Sequence, residues 1–480
     1  MLLPIEEIKN KIRLACEACF GGIPQIEKLP PAGSDRMYFR VSVNNTTQIA
    51  TYGENLKENK TFAYFCKHFS EKGLAVPKLY CEAGEVYLQE DLGAVSLLDI
   101  LEKEGYSKNV FELYKQSLAN LARLQVYGHN GLDYSQCLTN MEFGKQAIMA
   151  DLLYFKYYFL DTLRKPYDKQ KLIDEFEHFS GWLADKGLRY FMFRDFQSRN
   201  IMVTTEGPKF IDFQGGMMGA PQYDAASLLW QAKANLPEQW KNDLFDHYVH
   251  VFFELINADD DTSQFRTHYE GYVLIRLLQV LGAYGFRGLF ERKAHFLTSI
   301  PLALKNLKNF LLQHPLPAGY PEFIKTLNFC IHEEVLLKFT PVQANAGTPL
   351  TVTVNSFSYK KGIPADASEN GGGFVFDVRG ILNPGRIDEY KKLSGLDKPV
   401  IDFIEQKTEM PEFLNAVYSA VDISVTNYLN RNFESLMINF GCTGGQHRSV
   451  YAAEALARHL RNKFKVRVLV VHQNKENWVR

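Results

Sequence analysis

Asp195 and Asn200 stand five positions apart in the segment Phe193-Arg194-Asp195-Phe196-Gln197-Ser198-Arg199-Asn200-Ile201-Met202-Val203, and Asp212 follows twelve positions later in Phe210-Ile211-Asp212-Phe213-Gln214. These residue types suit phosphoryl transfer. One carboxylate accepts the proton of an attacking hydroxyl, while an amide oxygen and a second carboxylate hold Mg²⁺ against the phosphates of ATP. Mg²⁺ keeps several waters and takes few protein oxygens, so two ligands are enough. Asp and Asn are also ordinary loop residues. The reading therefore rests on both segments together, in a strand–loop–strand pattern over 189–213.

A second motif lies near the C-terminus. An apolar run over 436–440 leads into Gly441-Cys442-Thr443-Gly444-Gly445-Gln446-His447-Arg448-Ser449, and helical spacing follows over 449–463. Glycines let backbone N–H groups turn inward, a helix N-terminus adds its positive end, and Arg448 adds a fork of donors. That is a site for an anion, most naturally a phosphate. Cys442 and Arg448 also have the Cys-x5-Arg spacing of cysteine phosphatases, whose thiolate is the nucleophile. Against that reading, Gly441 stands where those enzymes carry His, and only Asp377 or Asp366 offers a general acid.

The elements that must position these residues fall into two groups. Strand-like runs over 37–43 and 48–52 flank Asn44-Asn45 as a hairpin, helical spacing covers 57–70, and 86–90 is a short strand ending at Glu90-Asp91-Leu92-Gly93. Residues 109–188 read as mostly helical, with an aromatic stretch over 152–160 that belongs to buried helix. Helical periodicity returns from 223 to about 312. Pro- and Gly-rich segments at 314–321 and 343–349 bracket a domain boundary near 340. Beyond it, strands and helices alternate, which argues for a parallel sheet. The expected architecture is an α+β bilobal domain over 1–340, with lobes over about 1–90 and 94–340, followed by an α/β domain with a mainly parallel sheet over 341–480.

Composition bounds the partners. Of 480 residues, 46 % are hydrophobic and 23 % charged, with a formal net charge of −1, so no global field favours nucleic acid or an anionic membrane. No run approaches the roughly 20 apolar residues of a membrane span, and the start of the chain does not read as a signal peptide. A cytoplasmic protein is expected. Seven cysteines are too sparse for a disulfide framework, and Cys16 and Cys19 read as packed thiols on one amphipathic helix.

With those residues in view, the first region resembles the aminoglycoside phosphotransferase-like family, a small-molecule branch of the protein-kinase fold. Within it the chain looks most like the anomeric kinases of N-acetylmuramate and N-acetylglucosamine. Besides the two segments above, Gly33-Ser34-Asp35-Arg36-Met37-Tyr38-Phe39-Arg40 resembles the turn that covers the phosphates. Glu90-Asp91-Leu92-Gly93 resembles the adenine hinge, and Pro221-Gln222-Tyr223-Asp224-Ala225-Ala226 and Tyr284-Gly285-Phe286-Arg287-Gly288 fall at the family's places. The resemblance covers residues 10–313. It implies ATP and Mg²⁺ as co-substrate and cofactor, Asp195 as base, and Asn200 and Asp212 as metal ligands. It also implies Ser34, Arg36, Arg40, Glu58, Glu90 and Leu92 at the nucleotide. Two departures stand out. Phe193 replaces the usual His, and the strand over 48–52 lacks the Lys that grips the phosphates, a charge left to Arg36 or Arg40 with Glu58 as the helix acid.

From about 350 to its end the chain is similar to the C-terminal domain of the RNase adapter protein RapZ family, which senses glucosamine-6-phosphate. The matching segments are Thr353-Val354-Asn355-Ser356-Phe357, Phe376-Asp377-Val378-Arg379, Ser394-Gly395-Leu396-Asp397-Lys398-Pro399 and 441–449. The resemblance implies a phosphorylated amino sugar bound by Arg379, Thr443, Gly444, Gly445, His447 and Arg448. Gln446 replaces a Lys of that family, and no GxxxxGK[ST] occurs anywhere in the chain. The tail lacks the basic cluster used on RNA. Residues 346–480 hold 17 Lys and Arg against 14 Asp and Glu, a field too weak to favour RNA. The expected function is an ATP-dependent amino-sugar kinase acting at the C1 hydroxyl, carrying a phosphosugar-sensing domain. The alternatives are a non-enzymatic adapter with a degenerate kinase half and a kinase for another hydroxylated acceptor such as an aminoglycoside.

Overall fold

The computed structural model describes residues 5–29, 36–44, 46–185, 187–258, 262–291, 294–366, 368 and 373–479. The chain divides into two compact units. One comprises Met1–Gly282 and Leu302–Ile331, the other Ala283–Pro301 and His332–Arg480.

The first unit opens with a helix, Ile5–Phe20, and a five-stranded antiparallel sheet of β1 (Gln25–Lys28), β2 (Met37–Val43), β3 (Thr46–Tyr52), β4 (Leu79–Ala83) and β5 (Val86–Glu90), in the order β1-β2-β3-β5-β4. The hairpin expected at Asn44-Asn45 joins β2 and β3 in register from Met37↔Tyr52 to Val43↔Thr46, with Asn44 at φ +50. Alternation on β2 sends Phe39, Val41 and Val43 inward, where they meet Ile8, Ile12 and Cys16 of the first helix. The helix Leu56–Ser70 is capped by the Asn55 side chain, which accepts from the Glu58 N–H.

The larger part of this unit is helical, with Lys108–His129, Lys145–Tyr158, Lys169–Ala184, Gln222–Leu229, Glu238–Leu255 and Ser263–Tyr284 among its helices. Two short ribbons cross it. β6 (Tyr190–Met192) pairs with β9 (Met217–Gly219), and β7 (Ile201–Thr204) pairs with β8 (Gly207–Phe210). A small sheet-bearing lobe followed by a helical lobe is the bilobal kinase-like architecture read from the sequence. One helix, Ser263–Phe290, is long and apolar enough to cross a membrane by length and composition, and 56 % of its most apolar window is buried within the protein.

The Pro-rich stretch at 314–321 breaks the helical run between Ile300–Gln313 and Pro321–Ile331, and Pro321 opens the second helix at a position where its missing N–H costs nothing. The second unit holds a four-stranded sheet, β10 (Thr351–Ser358), β11 (Phe374–Asp377), β12 (Ser435–Cys442) and β13 (Arg467–His472), in the order β11-β12-β10-β13. Every pairing is parallel, as expected for strands alternating with helices. The helices Lys398–Lys407, Met410–Asn430 and Arg448–Phe464 bury Ile404, Val421, Val425, Leu456 and Leu460 with Val352, Val354 and Ile438 of the sheet in one core.

Candidate functional site

The segment between β6 and β7 carries Asp195, and a 3-10 turn, Ser198–Asn200, delivers Asn200 to the start of β7. Asp212 follows β8. The two segments are tied by the Ile211 N–H donating to the Asn200 carbonyl at 3.0 Å. Asn200 Nδ2 donates to the Asp195 carbonyl at 2.9 Å and lies 3.4 Å from Asp212 Oδ2. The three residues foreseen from spacing are therefore gathered at one place. Asp195 and Asp212 keep 50 % and 36 % of their side-chain surface open. Arg194 and Asp212 take φ values of +78 and +71, conformations that non-glycine residues adopt only where surrounding contacts enforce them.

Those contacts come from buried polar groups. Asp224, fully buried on the helix Gln222–Leu229, accepts from the Phe193 N–H at 2.7 Å, the Arg194 N–H at 2.9 Å and Gln125 Nε2 at 2.9 Å. Burial pushes its carboxyl up to about 7 against the pull of these donors. Arg194 reaches Asp151 at 2.8 Å and lies over the Phe143 ring. Arg276, buried on Ser263–Tyr284, places Nη2 3.6 Å from Asp195 Oδ1 and donates through Nη1 to Gln279 at 2.9 Å. Phe193, where the family motif has His, is fully buried against the ring of Phe196, so it serves packing.

β3 carries no lysine, and a buried arginine lies beside Asp212. Arg36 enters from the start of β2 and is 7 % exposed. Its Nη2 donates to Asp212 Oδ1 at 2.8 Å and its Nη1 to the Tyr87 hydroxyl at 3.3 Å. Its Nε lies 3.4 Å from Glu58 Oε1, an ion pair without hydrogen-bond alignment. Burial works against the charge, but Tyr87, Tyr38, Asp212 and Glu58 together hold the guanidinium above its ordinary value. Gln214 closes the group by donating to Asp212 at 3.0 Å. Phe213 stacks on Phe62 of the Glu58 helix at 4.9 Å, which links the Asp212 segment to that helix.

The other expected nucleotide residues are placed differently. Arg40 is committed to Asp91, with Nε–Oδ2 at 2.6 Å and Nη2–Oδ1 at 3.2 Å. Glu90 pairs with Lys209 at 3.0 Å and Leu92 is buried. Ser34 lies outside the described residues. Reading the sequence did not single out Gln214, or Arg276 as the partner of Asp195. Arg276 does leave a trace: it is a lone charge inside the apolar run Tyr272-Val273-Leu274-Ile275-Arg276-Leu277-Leu278, which marks a buried charge that needs a partner.

Mg²⁺ fits the donors present. Asn200 spends its amide N–H on a carbonyl, which leaves its amide oxygen as an acceptor, and the Asp212 carboxylate beside it is 36 % exposed. Both are the hard oxygen ligands Mg²⁺ prefers.

In the second unit, β12 leads through Cys442 into the loop and the helix Arg448–Phe464. Gly441 is required: a Cβ there would lie 2.4 Å from Tyr359 and 2.5 Å from Phe357, so a His at this position has no room. Gly445 takes φ +67 and donates its N–H to Cys442 Sγ at 3.2 Å. Arg448 is 4 % exposed, and its Nη1 donates to the Arg379 and Ile381 carbonyls at 2.8 and 2.6 Å while its buried Nε has no partner. His447 is fixed by the Tyr390 carbonyl at 2.9 Å, and burial lowers its pKa. Thr443 receives the Ser358 hydroxyl on its carbonyl. Gln446, in place of a Lys, donates to the carbonyls of Leu393 and Val479 and accepts the Val479 N–H, so it anchors the tail rather than facing an anion. Arg379 is half-exposed, paired with Asp377 and laid over the Tyr359 ring at 3.9 Å.

Residues 27–256 match the phosphotransferase enzyme family, and residues 350–476 match the RapZ C-terminal domain. A nucleotide-binding protein of Glaesserella parasuis serovar 5 (strain SH0165) is 37 % identical over 178 residues, 36 % of this chain and 60 % of that protein. The RNase adapter protein RapZ of Yersinia enterocolitica serotype O:8 is 35 % identical over 172 residues, 34 % of this chain and 59 % of the relative. The chain thus spans about 60 % of the length of the curated relatives it matches. Among solved structures, a choline kinase from Cryptosporidium parvum Iowa II has a TM-score of 0.47 at 13 % identity, covering 66 % of this chain and 99 % of that one. An aminoglycoside phosphotransferase in complex with ADP and hygromycin B has a TM-score of 0.43 at 15 % identity, covering 64 % and 100 %.

Proposed function

We propose that the domain reaching to about residue 340 is an ATP-dependent small-molecule kinase. Its acceptor is an amino sugar, N-acetylmuramate or N-acetylglucosamine, phosphorylated at the C1 hydroxyl, and the domain beyond residue 340 binds a phosphorylated amino sugar. The observation that carries the kinase reading is the gathering of Asp195, Asn200 and Asp212, with the buried Arg36 standing between Asp212 and Glu58. Asp195 takes the proton of the acceptor hydroxyl. Arg276 orients its carboxylate, and Asp224 fixes the backbone on its N-terminal side. Asn200 and Asp212 would hold Mg²⁺, which when bound would supply charge neutralisation at the transferring phosphoryl group. Arg36 supplies the fixed cation that other kinases take from a β3 lysine. Its forked donors suit phosphate oxygens, and Glu58 keeps it in place. In the second domain, Arg448, the Thr443–Gly445 backbone and the helix N-terminus hold the phosphate, with Arg379 and Tyr359 at the rim. Calorimetry of Mg-ATP binding with coupled detection of ADP tests the kinase. ADP release that rises on adding an amino sugar supports it, and silence with every acceptor despite bound nucleotide sinks it.

One observation favours a second reading, a regulator that binds nucleotide without turnover. Arg36 occupies Asp212 Oδ1 at 2.8 Å, on the carboxylate a metal needs. Magnesium-dependent ADP formation separates the two readings.

A further inference from the structure

We propose that the Cys442 thiolate is a nucleophile, and that the loop from Cys442 to Ser449 cleaves phosphate esters or anhydrides of good leaving groups, acyl or aryl phosphates by class. This goes beyond the binding role given to the loop above and does not rest on the kinase reading. The sulfur sits at the base of the loop, 3 % exposed, at the end of β12. The Gly445 N–H donates to it at 3.2 Å, and the Ser449 hydroxyl shares a hydrogen bond with it at 3.2 Å. The 17-residue helix that begins at Arg448 adds the positive end of its dipole to the same loop.

The second, independent observation is Arg448. It lies within electrostatic reach of Cys442. Its Nη1 is spent on two carbonyls, which fixes the guanidinium plane, and Nε is left buried and unpartnered. An unpaired buried N–H of a charged group is costly, and a phosphate oxygen satisfies it. A nucleophile at the loop base, the Gly445 N–H beside it and a fixed arginine fork six residues on suit in-line attack on phosphorus better than they suit sugar recognition alone.

The leaving-group class follows from the acid that flanks the loop. Asp377 ends β11 opposite Gly441, so it flanks the loop. Arg379 pairs with its carboxylate at 2.6 Å and holds it below the ordinary range, so it does not supply the proton a departing alkoxide needs. The substrate must therefore release a stable oxyanion. In the first step a sulfur lone pair forms the S–P bond while the bond from phosphorus to the leaving oxygen breaks, and its electron pair departs on that oxygen. In the second step water attacks phosphorus and the S–P bond breaks. The thiolate and inorganic phosphate return, with a proton released to solvent.

The test uses the full chain in EDTA without nucleotide, so that magnesium-dependent transfer does not contribute. Para-nitrophenyl phosphate and acetyl phosphate are the probes, and binding of inorganic phosphate is measured in parallel. The expected result is turnover of both probes, its loss to the background rate in Cys442→Ser with phosphate affinity retained, and the mass of one phosphoryl group on the Cys442 peptide of acid-quenched wild type. Equal turnover in Cys442→Ser overturns the proposal. So does phosphate binding without turnover or adduct in the wild type, an outcome that leaves the binding reading standing. Absence of phosphate binding overturns both.

Discussion

The two sites are built in opposite ways. The C-terminal loop is one contiguous strand–loop–helix, and its chemical groups, Cys442, Arg448 and Ser449, are buried. The Asp195 site draws on segments far apart in sequence. Its two carboxylates, Asp195 and Asp212, are partly open, while Asn200 and the positioning groups Arg36, Asp224 and Arg276 are almost wholly buried. In a contiguous site the backbone does the positioning, so changing one side chain alters chemistry and leaves geometry. In a composite site buried ion pairs do the positioning, so changing one residue alters both.

The largest expected effect is at Asp195. Asp195→Asn lowers kcat by roughly 10²–10⁴-fold with little change in nucleotide affinity, read by initial rates and calorimetry. Next is Arg36→Ala, which strands Glu58 and Asp212 without their cation. Removing one partner of a buried pair costs on the order of 3 kcal/mol, so both the melting temperature and kcat/KM for ATP fall. Arg40→Ala strands Asp91, whose side chain is 6 % exposed, and so also lowers stability in urea unfolding, but leaves kcat/KM for ATP near that of wild type. A loss of kcat/KM in Arg40→Ala equal to that in Arg36→Ala would move the phosphate-gripping role to Arg40. In the second unit, Arg448→Met lowers inorganic phosphate affinity by about tenfold or more while leaving secondary structure by circular dichroism unchanged.

A smaller effect is a pH slope. Asp224 has a folded pKa of about 7 against an ordinary 3.8, so its protonated form is favoured by folding. Its contribution to stability is present below the unfolded value and is lost as pH rises through about 7. Urea unfolding at pH 5 and pH 8 should show wild type losing more stability across that interval than Asp224→Asn. An identical slope in both would show that Asp224 titrates normally.

The contrast between the sites also explains what was legible beforehand. The Gly441–Ser449 loop is continuous, so its residue order described its geometry. Asp195, Asn200 and Asp212 were legible because the two segments lie close together in sequence. The Arg36–Glu58–Asp212 group was not fully legible, since Arg36 and Asp212 are 176 residues apart and nothing local to Arg36 separates it from Arg40. The role of Asp224 as acceptor for two loop N–H groups depends on where its helix packs, which a one-dimensional pattern does not carry. Among the elements, the β2–β3 hairpin and the helix Leu56–Ser70 followed from alternation and helical spacing. The helices Pro321–Ile331 and Glu333–Phe339 were hidden by a proline-rich approach that looked like a linker. The six-residue π-helix Gly285–Phe290 was hidden because its apolar spacing continues that of the preceding α-helix.

The most direct measurement is ³¹P NMR of the full chain with Mg-ATP and a panel led by N-acetylmuramate, N-acetylglucosamine and glucosamine, with Asp195→Asn beside wild type. The account predicts a new sugar-1-phosphate resonance with wild type and none with the variant. A phosphosugar formed equally by both would contradict the assignment of Asp195, and no phosphosugar from any acceptor despite bound Mg-ATP would contradict the amino-sugar kinase itself.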